Sequence, residues 1–233
     1  MNYAKLDISL ILIIKERDDL KMTELKTIIT DETLLSERAD EVDTIKEIKE
    51  ARAIIAELKS IIRKNKLTSL SAPAIGYGKR IFCVNFSDSE IKTFINPIIV
   101  KAEGLVLSDE TCTSIPGKRF ILPRNNKVSI MYTSPLGKVE SREVSGVAAS
   151  VIQHEIHHLE GILLSDIGLE VDEMFDNATQ EEREQVIGMY LDSLDIKQKE
   201  LDKQIEEDAD LKQIADATEF MEKVQSGEVV QEI

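Results

Sequence analysis

The sequence predicts an α+β fold, with antiparallel strands around one central helix and an acidic helical extension at the C-terminal end. Three observations predict it. Short runs rich in β-branched residues alternate with turn residues, one later segment has the apolar spacing of a helix, and the negative charge is concentrated near the end. With 233 residues, of which 42% are hydrophobic, the chain is long enough to bury one core and to carry extensions.

Four runs predict strands, because they are rich in β-branched residues and bounded by Asp, Pro, Gly and Asn. They cover residues 81–86, 93–100, 127–133 and 138–144. Residues 134–137 read Ser-Pro-Leu-Gly and separate the last two runs, which suits a hairpin turn. The runs therefore favour an antiparallel arrangement over a regular βαβ repeat.

An amphipathic helix is predicted over residues 44–64, on the outside of the sheet. Thr44 and Glu47 have the spacing of a capping box at its start. The apolar residues that follow at helical spacing are Ile45, Ile48, Ile55, Leu58 and Ile62.

A second helix, the central one, is predicted to end at Gly161, because glycine commonly follows the last helical residue. Its inward face is indicated by four residues at i, i+4, i+7 and i+11, which are Val147, Val151, His154 and His158. The two histidines continue an apolar stripe, so we expect them to face the core.

The net charge of −15 is unevenly distributed along the chain. Residues 169–233 contain 20 acidic and 6 basic residues, whereas the rest of the chain is close to neutral. We therefore expect an N-terminal extension over residues 1–21, a main domain over residues 22–168 and an acidic helical tail over residues 169–233.

Heptad spacing predicts that the tail is helical, and its positions are Ile187, Leu191, Leu194, Leu201 and Ile205. We expect it to pack on itself or on the main domain, with a specific partner-binding role as the alternative. Residues 8–14 form an apolar run, but charged residues follow it and no small-residue cleavage site appears, so we expect an extra strand or a disordered arm there.

Composition also argues against two classes of partner. No run of about 20 apolar residues occurs, so a membrane span is not expected. Aromatic residues make up 4% of the chain and Trp is absent, which leaves little material for stacking on nucleic-acid bases. The acidic tail would be repelled by phosphate, so no direct nucleic-acid contact is expected.

Residues 154–158 read His-Glu-Ile-His-His and fit the H-E-x-x-H pattern. On a helix this spacing places two imidazoles one turn apart on the same face, with the carboxylate of Glu155 beside the first. Such a pattern indicates a metal with a general base next to it, so the central helix is the predicted metal-binding helix. The alternative is a pair of histidines on a helix surface.

Two histidines leave a metal underliganded, so a third ligand must come from elsewhere in the chain. Of the two cysteines, Cys83 lies in an apolar run, whereas Cys112 lies among polar neighbours. Cys112 is therefore the leading candidate. The alternative that the H-E-x-x-H pattern alone would allow is a zinc peptidase, and Cys112 as a ligand argues against it.

Three motifs resemble those of the peptide deformylase family, G-x-G-L-A-A-P-Q, E-G-C-L-S and Q-H-E-x-D-H, in that order. Residues 67–74 read Leu-Thr-Ser-Leu-Ser-Ala-Pro-Ala, residues 110–114 read Glu-Thr-Cys-Thr-Ser, and residues 153–158 read Gln-His-Glu-Ile-His-His. The resemblance extends from about residue 25 to residue 166.

The resemblance implies a hydrolase that removes the N-formyl group from the N-terminal methionine of nascent proteins and releases formate. It implies that Cys112, His154 and His158 are the metal ligands and that Glu155 is the base that takes the water proton. The usual metal would be Fe²⁺, with Ni²⁺ or Zn²⁺ able to replace it. The expected location is the cytoplasm.

The resemblance also implies contacts with the substrate. Arg119 and Val147 match positions along the methionine pocket and the peptide path, and the backbone N–H of Thr113 matches an oxyanion donor. The first motif supplies the remaining predicted oxyanion and substrate contacts, which are Ser69, Leu70, Ser71 and Ala74. Glu110 is expected to brace the cysteine loop through Arg119 or Arg124, with an ordinary surface ion pair as the alternative.

The chain departs from the family pattern in the first and third motifs. Ala74 stands where the family has Gln, whose amide helps to hold the developing oxyanion, and a methyl group cannot replace that donor. Ser69 and Ser71 replace Gly and Ala in the same motif and offer hydroxyls, although such hydroxyls often bond to nearby backbone. His157 replaces Asp; as a neighbour of His158 on a helix, it is not expected to be a further ligand.

The expected partners are formyl-methionyl nascent peptides, with neither nucleic acid nor membrane. The chain is expected to be a monomer, with self-association through the helical tail as the alternative. Ala74 motivates a second hypothesis from another class, a deformylase-like binding module with impaired catalysis. Retention of all three ligands and of Glu155 favours activity.

Overall fold

The computed structural model describes residues 28–87 and 90–207, with side chains described up to residue 195. The expected N-terminal extension and the part of the tail beyond residue 207 lie outside the described residues. Helices, including one short 3₁₀ turn, occupy Glu32–Leu35 (α1), Ile48–Asn65 (α2), Pro73–Ile75 (3₁₀), Val147–Glu160 (α3), Leu164–Ile167 (α4), Glu173–Asn177 (α5) and Gln180–Glu207 (α6). Strands occupy Ser69–Ser71 (β1), Ile81–Ser87 (β2), Glu90–Cys112 (β3), Ile115–Thr133 (β4), Val139–Ser145 (β5) and Leu169–Val171 (β6).

The strands form a six-stranded sheet in the order β1-β2-β3-β4-β5, and β6 pairs with β4. β1 runs antiparallel to β2, β2 to β3 and β6 to β4. The predicted α+β class with antiparallel strands is confirmed. From β1 to β5, the order of the strands in the sheet is therefore their order in the chain.

All four predicted strands are present, but two of them are much longer than the sequence indicated. β3 continues to Cys112 and β4 begins at Ile115, so the motif around the cysteine is a strand end followed by a tight turn and not a loop. The predicted hairpin is confirmed, because the N–H of Ser134 donates to the carbonyl of Lys138 at 2.8 Å and that of Gly137 donates to Ser134 at 2.8 Å.

The described residues divide into two compact units. One unit holds residues up to 97 together with 132–140 and 151–161, and the other holds residues 98–131, 141–150 and those from 162 onward. In the first unit, α2 buries one face in a hydrophobic cluster with β1, the 3₁₀ turn and β2. The buried residues of that helix are Ala51, Ile54, Ile55, Leu58, Ile61 and Ile62.

The predicted capping box at the start of α2 is wrong. The helix begins at Ile48, and Glu47, at its N-cap, makes no side-chain cap bond. Instead, the carboxylate of Asp43 accepts from the N–H groups of Ile45 and Lys46 at 3.0 and 3.1 Å. This Asp-centred turn competes with helix formation, so Ile45 lies before the helix and is 89% exposed.

Helix α3 ends at Glu160, and the glycine predicted to end it, Gly161, follows with a φ of +72°. Three contacts hold its last turn in the first unit. The N–H of Ala39 donates to the carbonyl of Leu159 at 2.9 Å. Glu160 accepts from Arg80 at 2.6 Å and pairs with Arg38 at 2.8 Å. The end of the helix is therefore fixed by backbone and charged contacts together.

The predicted inward face of α3 is only partly correct. His158 is buried, whereas Val147 is 79% exposed. Val151 and His154 are half-buried. The most buried stripe of the helix runs instead through Ala149, Ile152, Glu155 and Leu159. That stripe also has helical spacing, and its larger apolar surface decides the orientation of the helix.

In the second unit, the residues after Gly168 begin with a strand, which corrects the expectation of a wholly helical tail. β6 pairs with β4 through Arg119 opposite Val171 and Ile121 opposite Leu169. Helices α5 and α6 follow. Within α6, Ile187, Leu191 and Leu194 are half-buried, and the hydroxyl of Tyr190 donates to the carbonyl of Ile167 at 2.6 Å. The later heptad positions lie outside the described side chains.

Within the part of the chain that the structure describes, no helix combines the length and the apolar character needed to cross a membrane.

We expect Gly161→Ala to destabilise the fold strongly. An added Cβ would lie 2.3 Å from the carbonyl oxygen of Ser36, at a backbone conformation that alanine rarely adopts. Gly137→Ala is the matched control, because its φ is +76° but no neighbouring atom lies within 4 Å of the new Cβ. The control should cost about 1–2 kcal/mol for the left-handed backbone alone. Gly161→Ala should cost about 3 kcal/mol or more by chemical denaturation.

Equal losses in the two variants would show that the end of α3 can move away from Ser36 without cost. The fixed position inferred for the last turn of the helix would then be wrong.

Candidate metal centre

Three side chains with metal-binding atoms lie together. The ligand atoms of Cys112, His154 and His158 are all within 4.8 Å of one another. Cys112 is the last residue of β3, and the two histidines are one turn apart on α3. Cys112 and His158 are buried, and His154 is half-buried. The folded chain thus assembles a thiol and two imidazoles from distant parts of the sequence.

The geometry of the two histidines follows from the helix. Residues at i and i+4 lie on one face, and the ring centroids of His154 and His158 are 5.0 Å apart with an angle of 63° between the planes. His157 is half-buried and lies outside the group of three ligand candidates formed by the described residues. Its direction on the helix, about 100° from that of its neighbour, accounts for this.

The donor set fits a divalent transition metal. One thiolate and two imidazoles are ligands of borderline softness, which suit Fe²⁺, Ni²⁺ or Zn²⁺ better than Ca²⁺ or Mg²⁺. Three protein ligands rather than four are typical of a catalytic site that keeps a position for water or substrate. Two of the three donors are buried and therefore have little access to bulk solvent. This favours a bound ion as their partner.

The other cysteine has a different environment. Cys83 is fully buried in β2, and its Sγ lies 3.5 Å from the hydroxyl of Thr93. Burial raises the pKa of the Cys83 thiol to about 11, because the thiolate would lose its hydration. Cys83 therefore stays a protonated, structural thiol at neutral pH, as the sequence indicated.

Glu155 lies beside His154 on α3 and is 3% exposed. The hydroxyl of Ser69 donates a hydrogen bond of 2.6 Å to Oε1 of Glu155. The first motif predicted Ser69 as an oxyanion or substrate contact, but its hydroxyl donates to this carboxylate. No sequence signal identified that pair, because the two residues are far apart in the chain and meet only through the fold.

Glu110, two residues before Cys112, forms a buried ion pair with Arg124. Nε and Nη2 of Arg124 donate to the two carboxylate oxygens at 2.8 and 2.9 Å. The Arg124 and Glu110 side chains are only 1% and 9% exposed. Of the two arginines that the sequence left open, Arg124 is therefore the partner, and the pair is buried rather than on the surface. It connects the end of β3 to β4.

Arg119 has other partners in the same unit. Its guanidinium bonds to the carboxylate of Asp176 in α5 and lies 3.5 Å from that of Asp109. The bond to Asp176 raises the pKa of Arg119 and lowers the pKa of Asp176. The arginine predicted to line the methionine pocket is thus oriented by a residue of the acidic tail.

The remaining predicted contacts differ in exposure. Leu70, Ser71 and Ala74 are buried, whereas Thr113 and Val147 are exposed. Ala74 is part of the hydrophobic cluster of the first unit. The hydroxyl of Ser71 is buried and makes no hydrogen bond within the described part of the chain. Ser114, next to Thr113 in the tight turn, has a second buried hydroxyl of this kind, for which the sequence predicted no role.

Comparison with known proteins gives a consistent result. A family model described as Polypeptide deformylase matches residues 25–172. A peptide deformylase from Dictyoglomus turgidum is 31% identical over 137 residues, which are 59% of this chain and 88% of that protein. The crystal structure of a probable peptide deformylase from Synechococcus phage S-SSM7 superposes with a TM-score of 0.57 and 29% identity, covering 61% of this chain and 99% of that one.

The crystal structure of a peptide deformylase from Synechococcus elongatus in complex with actinonin also superposes, with a TM-score of 0.58 and 27% identity. It covers 64% of this chain and 81% of that one.

We expect Arg124→Met to destabilise the protein by about 3–5 kcal/mol, because it leaves the charge of Glu110 buried without its partner. Lys118→Met is the matched control on the same strand, since Lys118 pairs with Glu170 at 2.9 Å but both side chains are largely exposed. That change should cost about 0–1 kcal/mol. Denaturant unfolding of both variants, with metal content per chain measured in parallel, tests the expectation.

Adding Glu110→Gln to Arg124→Met should recover part of the lost stability, since the uncompensated charge is then removed. If Arg124→Met is as mild as Lys118→Met, the pair does not hold the end of β3.

Proposed function

The chain belongs to the peptide deformylase family and is a metal-binding hydrolase, and from this premise we propose how its own residues carry the reaction. Cys112, His154 and His158 hold the metal, and Glu155 is the base. The substrate is the N-formyl group on the N-terminal methionine of nascent proteins, and the product is formate. The observation that supports this proposal is the cluster of one thiol and two imidazoles beside a buried carboxylate.

The metal proposed for this site is Fe²⁺, with Ni²⁺ or Zn²⁺ as replacements. When bound, a divalent ion supplies Lewis acidity to the water and to the formyl carbonyl. Cys112 contributes a thiolate, a softer ligand than a carboxylate, which suits these metals. Burial of Cys112 and His158 keeps solvent away from two of the three donors.

Glu155 moves the proton in the proposed reaction. Its carboxylate takes a proton from the attacking water, whose oxygen adds to the formyl carbon. When the C–N bond breaks, the same carboxylate returns the proton to the departing amine, so formate and a free N-terminus are released. A carboxylate that is 3% exposed makes this transfer without competition from bulk water.

The developing negative charge on the formyl oxygen requires hydrogen-bond donors. We assign the backbone N–H of Thr113 to this role, together with the hydroxyl of Ser71. Ser71 is 1% exposed, and its hydroxyl lacks a partner among the described residues. Ala74 is packed in the hydrophobic cluster, so a glutamine there would place an amide among apolar side chains.

The substrate contacts proposed for Arg119, Val147 and Leu70 follow from the family pattern. Asp176 orients Arg119, so we propose that the acidic tail supports the methionine pocket. Because phosphate would repel its negative charge, we also propose that the tail has no contact with nucleic acid. The proposed organisation keeps residues 1–21 as an extension, residues 22–168 as the catalytic domain and residues 169–233 as the tail. The protein is proposed to act as a cytoplasmic monomer.

We expect the protein, loaded anaerobically with Fe²⁺, to release formate from a formyl-Met peptide. Glu155→Gln should abolish turnover and retain the metal, because Glu155 is a base and not a ligand. Cys112→Ala should lose the metal itself. Formate release and metal content per chain are the two measurements.

Loss of metal in Glu155→Gln, or full activity in that variant, would contradict the assignment of Glu155. A metal-loaded original protein that releases no formate would favour the binding-module alternative over catalysis.

Ser71→Ala should lower kcat by about 10²-fold with little change in KM, because an oxyanion donor acts mainly in the transition state. Ala74→Gln should be neutral or reduce activity, since its amide would enter a packed apolar cluster. Steady-state kinetics of the original protein, both single variants and the double variant test these roles. A higher kcat in Ala74→Gln together with an unaffected Ser71→Ala would exclude Ser71 as the donor.

A further inference from the structure

The hydrogen bond between Ser69 and Glu155 has a length typical of a strong bond to a charged acceptor. The Ser69 hydroxyl donates to Oε1 over 2.6 Å, within the range for O–H···O⁻ bonds. Glu155 is buried, so this bond lies in surroundings of low dielectric, where such contacts are stronger than in water. It joins strand β1 to the carboxylate that we propose as the base.

The backbone on the serine side of the bond is fixed. Ser69 pairs with Val84 across the β1–β2 ladder, and the N–H of Asn85 donates to the carbonyl of Thr68 at 2.7 Å. The hydroxyl therefore projects from a hydrogen-bonded strand. Since alternate residues of a strand face the same side, Ser71 projects from the same face of β1 as Ser69.

The backbone on the glutamate side is fixed as well. Glu155 lies on the buried stripe of α3 between Ile152 and Leu159, which are both fully buried. The bond from Ala39 to Leu159 and the one from Arg80 to Glu160 hold the last turn of the same helix. Only the side-chain torsions of Glu155 remain to be set, and a glutamate has several rotatable bonds.

We propose that Ser69 is a positioning residue for Glu155. Its hydroxyl holds the carboxylate in the orientation in which Glu155 takes the proton from water and returns it to the departing amine. The inference rests on the proposed deformylase function and on Glu155 as the base. Because reacting groups lose rate steeply when they are misplaced by about 1 Å, a bond that helps to fix the carboxylate has a large effect on turnover.

A merely structural bond between β1 and α3 would have different consequences. Loss of a structural bond lowers the free energy of unfolding and affects metal binding and substrate binding along with turnover. Loss of a positioning bond lowers kcat, while KM, metal content and stability change little. The two possibilities therefore separate in a single set of measurements.

The experiment compares Ser69→Ala and Ser69→Thr with the original Fe²⁺-loaded protein on a formyl-Met peptide. Ser69→Ala should lower kcat about 10-fold with KM and metal content per chain unchanged. Ser69→Thr keeps a hydroxyl and suits a strand, so it should restore most of the activity. Thr68→Ala is the matched control, because Thr68 is the adjacent hydroxyl, is exposed, and has no assigned role in the site.

A further measurement does not depend on activity. In a crystal structure of metal-loaded Ser69→Ala, the Glu155 carboxylate should occupy a changed or spread position, with β1 and α3 unmoved.

The inference fails if the original protein is active and Ser69→Ala equals it in kcat. It also fails if Ser69→Ala loses metal or stability in proportion to activity, or if Ser69→Thr does not recover activity. An inactive original protein that holds its metal would overturn the proposed function, and this inference with it.

Discussion

Arg80, itself buried, donates to Glu160 in the last turn of α3, and the backbone of Ala39 donates to Leu159 in the same turn. These contacts hold the end of the helix that carries both histidines and Glu155. A helix with its last turn fixed can rotate little, so one side-chain face keeps its direction. Both histidines and Glu155 depend on that direction, because they project from this helix.

Local patterns in the sequence predicted much of the site. The i, i+4 spacing of His154 and His158 and the glycine at the helix end depend only on helix geometry and backbone sterics, so they could be recognised without the fold. The exposure of Val147 could not, because the stripe through Ile152 also has helical spacing and only the folded chain shows which of the two stripes is buried. The pair of Ser69 and Glu155 likewise exists only after folding.

The buried charges show how the site and the stability of the fold are linked. Glu110 is neutralised by Arg124 through two hydrogen bonds, so the strand end before Cys112 contains a compensated charge. Glu155 is buried as well and receives the hydroxyl of Ser69. A buried carboxylate without such partners would be costly to keep ionised. The same contacts that make the charges tolerable also restrict where the side chains point.

In the first motif Ala74 stands where the family has Gln, and Ser69 and Ser71 stand where it has Gly and Ala. At position 74 the chain turns into a hydrophobic cluster, where a long polar side chain would be expensive to bury. Ser69 and Ser71 lie two residues apart on β1 and share one face of it. One hydroxyl donates to Glu155, and the other is buried with its hydrogen-bonding capacity unused within the described residues. Under the proposed function, one strand face thereby offers one donor to the base and one to the oxyanion, and the second of these is the role that Ala74 cannot fill.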